Sequence, residues 1–140
     1  MLFENNQYDQ KVYAEEIKDF LPDNIIDIHT HVWKDENRVK VSADDIRSVT
    51  WTDLVAKDDP IEDLMETYRI MFPGKKVKAL IFGTMSQNPL SMKLGNEYVK
   101  ESVRKSGYDA LYYSRPTETA EEIEKNIKEG GFLGLKSYLD

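Results

Sequence analysis

Apolar and polar positions fall into blocks along this chain, and the period changes from block to block. Tyr13, Ile17 and Phe20 recur at helical spacing, which predicts a helix over residues 9–20, ended by Pro22 and Asp23. A short apolar run, Asn24 to Ile28, reads as a first strand. Leu64, Tyr68 and Met71 line one face of a helix that starts at Asp59 and Pro60 and stops at Pro73 and Gly74. There Asp59 can cap, Pro60 suits the first helical position, and Glu62 sits three residues after the cap. Val77 to Phe82 is a second strand, and Ser91 to Ser106 a helix closed by Gly107. Asp109 to Ser114 is a third strand. Thr117 or Thr119 caps a helix carrying Ala120, Ile123 and Ile127, which ends at Gly130 and Gly131. Phe132 to Tyr138 is a fourth strand.

Strands that alternate with helices imply parallel strands joined by right-handed crossovers. The strands are nearly continuous apolar runs, as expected when both sheet faces are covered. A four-stranded parallel sheet would leave open edges, and its last strand would have no following helix. A (β/α)8 barrel has eight such units and runs to about 250 residues. The expected fold is therefore α/β, with residues 1–140 forming the N-terminal half of a TIM barrel: four parallel strands, their connecting helices and an extra N-terminal helix.

One connection breaks the rhythm. Val32 to Asp58 is far longer than an ordinary βα-loop of about 2 to 6 residues. A short helix is expected near Asp44 to Val49. Trp33 and Trp51 lie in this stretch, which reads as a lid or pocket wall in which Trp33 meets the substrate. Its charge run from Lys34 to Arg38 would equally suit a solvated insertion.

Composition narrows the function classes. Acidic residues outnumber basic ones by 26 to 19, which argues against nucleic acid or an anionic membrane as a partner. The chain has no cysteine, so disulfides and thiolate chemistry are excluded. The first residues, Met1 to Gln7, show no basic region followed by an apolar one, and no stretch is long and apolar enough to span a bilayer. A cytoplasmic location is the expectation.

The chemistry concentrates at Asp27-Ile28-His29-Thr30-His31, which holds both histidines of the chain. Side chains two apart on a strand point the same way, so His29 and His31 can aim two imidazoles at one divalent metal. The same alternation puts Asp27 on their face, either orienting a neighbouring group or satisfied by backbone donors. Lys136 on the fourth strand reaches either the reacting centre or solvent. Arg115, after the third strand, can clamp a substrate carboxylate or lie on the surface before Pro116.

The run Ile26 to Trp33 resembles the His-x-His motif of the amidohydrolase superfamily, in the branch of the aminocarboxymuconate-semialdehyde decarboxylases. Gly131 to Lys136 resembles that branch's fourth barrel strand. The resemblance covers most of residues 9–140. It implies a metal-dependent hydrolase with His29 and His31 as ligands of a divalent ion, most readily zinc, and Lys136 as a catalytic group. Such an ion acidifies bound water and polarises the carbonyl of an amide, ester or lactone. The alternatives are a non-oxidative decarboxylase acting on a small carboxylic acid, and a non-catalytic half-barrel. The family's further ligands, histidines on strands five and six and an aspartate on strand eight, have no counterpart here. The 140-residue chain is therefore expected to be inactive alone, and to self-associate or take up a complementary barrel half.

Overall fold

The computed structural model describes residues 5–39, 56–86 and 88–137. It is an α/β structure built on one four-stranded sheet. The strands are β1 (Asn24–His31), β2 (Lys76–Phe82), β3 (Asp109–Tyr113) and β4 (Gly134–Lys136). They lie in the order β1-β2-β3-β4, and every neighbouring pair is parallel. The helices are α1 (Gln7–Val12), α2 (Ile61–Met71), α3 (Pro89–Ser106) and α4 (Ala120–Gly130). Among the described residues no helix is long and apolar enough to cross a membrane.

The core lies between the sheet and α2, α3 and α4. Ala79 and Ile81 of β2 and Ala110 and Tyr112 of β3 face this layer. They meet Ile61, Leu64 and Tyr68 from α2, and Tyr98 and Val99 from α3, with Ile123 and Ile127 of α4 packed alongside. All three helices therefore cover one face of the sheet. The opposite face is bare toward β1, where Ile26 is 70% exposed and Ile28 72%.

The helix boundaries show which local forces won. Asn88 caps α3 through the N–H groups of Leu90 and Ser91, and Pro89 takes the first helical position, so α3 begins two residues before the expected Ser91. Gly107 and Gly131 end α3 and α4 in the left-handed conformation. Thr119 rather than Thr117 caps α4, in a reciprocal capping box with Glu122. The start of α2 differs from expectation. Pro60 occupies the cap, the Asp59 side chain does not cap, and the buried Ile61 N–H donates to the Tyr98 hydroxyl of α3 at 3.0 Å.

The first helix also departs from its predicted form. It begins at Gln7, under a capping box made by Asn6 and Asp9, and widens into a π-helical turn over Tyr13–Ile17. Only Tyr13 of the expected apolar stripe is buried, with its hydroxyl donating to the Pro73 carbonyl; Phe20 is 86% exposed. Strand β1 runs three residues past Ile28, and β4 is shorter than predicted. The expected helix near Asp44 to Val49, Trp51 and Tyr138 lie outside the described residues.

Candidate metal and catalytic site at the carboxyl ends of the strands

Parallel pairing carries β1 past β2 with one irregularity. Asp27 is level with Ala79, but Thr30 is level with Ile81 and His31 with Phe82. Two residues of β1, Ile28 and His29, thus span the space opposite Leu80 alone. This is a β-bulge, and it reverses which face the following residues present. Before it, Asp27 shares the helix-covered face with Ala79. After it, Thr30 takes that face, and His31 turns with Phe82 to the bare one.

The expectation that Asp27 shares a face with the histidines is therefore corrected. Its Oδ2 accepts the Tyr68 hydroxyl of α2 at 2.6 Å, and its Oδ1 accepts the His29 backbone N–H at 2.9 Å. The second bond is the backbone-donor alternative raised from the sequence. Burial, and then the bond to Asp27, hold the Tyr68 phenol well above its ordinary pKa, so it remains a donor. An Asp accepting the N–H two residues on is a local turn motif, and the Asp-x-His spacing was the signal available for it.

The two imidazoles lie close together around Phe82. Their ring centroids are 5.6 Å apart, and both pack edge-on against Phe82, His29 at 5.1 Å and His31 at 4.5 Å. Phe82 is almost fully buried and anchors the cluster. His31 Nδ1 lies 2.9 Å from the Gly83 carbonyl oxygen. A carbonyl only accepts, so Nδ1 carries the proton and the neutral ring directs its lone pair from Nε2. Burial lowers the His31 pKa, opposed by the Gly83 bond and reinforced by the charges of His29 and Lys136, which favours this neutral ligand form.

Lys136 arrives from β4. Its Nζ stands 4.9 Å from the centre of the Phe82 ring, close enough for its charge to act on His31. The structure thus brings together three residues singled out from the sequence, His29, His31 and Lys136, from opposite edges of the sheet. Phe82, the ring they share, was missed; a large apolar residue ending a strand carries no signal of its own.

The chain matches no family model, no curated protein and no solved structure.

Trp33 and Arg115 have contacts of their own. Trp33 pairs its backbone with Asp59 in an antiparallel bridge, and its indole N–H donates to the Lys57 carbonyl at 3.0 Å. Asp35 N–H adds a bond to Asp58. Trp33 thus fastens the two ends of the long connection. Arg115 donates its backbone N–H to Glu118, which also accepts the Tyr112 hydroxyl, so Arg115 sits beside the helix-facing Tyr112.

The donor set suits a divalent ion in part. Zinc bound to a ring nitrogen lies about 3 Å from the ring centre, and two tetrahedral imidazole ligands then have centres roughly 5 Å apart. The observed spacing is near this. No group of three or more His, Cys, Asp or Glu side chains arranged for a metal occurs among the described residues. A concavity of about 420 Å³, lined by Asn5, Tyr13, Lys18 and Arg69, lies at the other end of the sheet, near Pro73, and shares no residue with this cluster.

Proposed function

We propose that these residues form the first four units of a (β/α)8 barrel and supply part of the active site of a metal-dependent hydrolase of the amidohydrolase type. One observation carries the reading: two imidazoles from one strand end lie with ring centres 5.6 Å apart, a spacing two ligands of one ion can have, near a lysine from the far edge of the same sheet. Sequential parallel order, α2, α3 and α4 sharing one face of the sheet, and the histidines and lysine at the carboxyl ends of the strands all support the barrel.

In this reading His29 and His31 bind the ion, most readily zinc. Such an ion would polarise the substrate carbonyl and acidify a bound water at neutral pH. His31 is kept neutral by burial and oriented by Gly83. Lys136 holds or protonates an anionic oxygen of a small substrate, an amide, ester or lactone. A second reaction is open to the same site, loss of carbon dioxide from a small carboxylic acid: the bond to the carboxylate carbon breaks, its electron pair stays on the substrate carbon, where the ion and the Lys136 amine would stabilise the charge, and that carbon then takes up a proton. A catalytic zinc site generally uses about three protein ligands, so a second copy or a complementary barrel half provides the rest.

Zinc titration of the purified chain tests the metal. The wild type is expected to bind zinc weakly, and His29→Ala and His31→Ala each to abolish binding. Stoichiometric zinc retained by either variant would sink the reading. A panel of amides, lactones and aromatic carboxylic acids, offered to the completed site, then separates hydrolysis from decarboxylation.

A further inference from the structure

The bulge in β1 has a visible cause on the helix side of the sheet. A regular strand would place Asp27, His29 and His31 on one face. With Asp27 turned toward α2, as it is, both imidazoles would then be driven into the core beside Ala79 and Ile81. The extra residue separates the carboxylate from the histidines.

Two bonds hold Asp27 where this requires it. Oδ1 accepts the His29 N–H at 2.9 Å, folding the backbone of the bulge around the carboxylate. Oδ2 accepts the Tyr68 hydroxyl at 2.6 Å, tying the carboxylate to a buried tyrosine of α2. We propose that Asp27, clamped by Tyr68, is a positioning residue that sets the β1 bulge and thereby aims His29 and His31 at one point on the bare face. It touches neither the ion nor the substrate. It acts through the backbone of His29, so an α2 side chain behind the sheet governs the geometry of ligands in front of it.

The pair makes chemical sense for this task. A carboxylate offers two acceptors in one plane, one for the N–H and one for the hydroxyl. An Asn in its place keeps Oδ1 for the His29 N–H, and its amide can donate to the Tyr68 oxygen. An Ala keeps neither bond. Phe at position 68 preserves the ring packing and removes only the clamp.

The test compares Asp27→Ala, Asp27→Asn and Tyr68→Phe in the full chain. The chain has only two histidines, so their ring signals can be followed singly. The first readout is metal-free: nuclear Overhauser contacts from the His29 and His31 rings to Phe82. The second is the affinity for zinc alone, and circular dichroism checks the fold. Asp27→Ala should lose the His29–Phe82 contact and bind zinc at least about tenfold more weakly, with Asn restoring much of both. Tyr68→Phe should loosen the contact in a protein that still folds, and it carries the test if Asp27→Ala does not fold. Unchanged ring contacts to Phe82 in Tyr68→Phe and in any folded Asp27→Ala would overturn the proposal. The metal arm rests on the reading of the histidines as ligands. Failure of the wild type to bind zinc would count against that reading, while the ring contacts would still decide the role of Asp27.

Discussion

Asn96 clasps Tyr113 as though it were a neighbouring strand. Its Nδ2 donates to the Tyr113 carbonyl at 2.9 Å, and its Oδ1 accepts the Tyr113 N–H at 3.0 Å. The reason lies in the sheet. Strand β2 ends at Phe82, and with Leu80 level with Asp109 and Ile81 with Ala110 it stops short of the level of Tyr113. The side chain from α3 fills the gap and satisfies both backbone groups.

Replacing that amide should therefore cost more than a surface change. Asn96→Leu is similar in size but removes two buried hydrogen bonds to the Tyr113 backbone. A loss of about 2–4 kcal/mol is expected, read as a lower denaturation midpoint at unchanged slope. A loss below about 0.5 kcal/mol would mean that water or β2 takes over the two bonds.

Much of the fold is legible in the sequence because it is written in local patterns. Four strands and three connecting helices follow from apolar runs and caps, with Thr119, Gly107 and Gly131 acting where such residues act. The site was legible in its parts, since His29, His31 and Lys136 stand out by residue type and strand position. What escaped was decided over long range. Asp59 has the right type and place to cap α2, yet Tyr98, 37 residues on in the chain, meets the Ile61 N–H instead. Period-2 alternation put Asp27 with the histidines, and a bulge held from α2 sent it to the other face. Phe20 fits a helical period but is 86% exposed.

Asp59 should give stability a distinct pH dependence. Burial, and then the charge of Asp63, push its carboxyl up from 3.8 to about 6. Between those values the folded chain keeps a proton that the unfolded chain has released. The stability linked to this group is full below pH about 4 and is lost as pH rises through 6. Asp59→Asn keeps the backbone bridge to Trp33 and removes the titration. It should flatten this slope and raise stability at pH 7 by about 1 kcal/mol, a figure discounted for partial exposure. Denaturation midpoints at pH 4 and pH 7 check it: parallel behaviour of variant and wild type would place the Asp59 carboxylate in water.

The bare face of the sheet should govern self-association. Ile26 and Ile28 expose 70% and 72% of their surface on the side opposite the helices. Among the described residues β1 and β4 are the outer strands of the sheet, where a further strand could add. In a closed barrel, facing strands would cover both features. The full chain is therefore expected to associate with itself or with a complementary half, and to show no turnover as a monomer. The double variant Ile26→Thr, Ile28→Thr retains β-branched side chains suited to a strand while removing apolar surface. It should sediment as a smaller species than the wild type at equal concentration, with an unchanged circular dichroism spectrum. Each exposed isoleucine contributes on the order of 1–2 kcal/mol when covered, so the shift in association should be at least tenfold. Equal sedimentation of the two proteins would show that the contact is made elsewhere. A wild-type monomer that turns over substrate would refute the half-barrel reading directly.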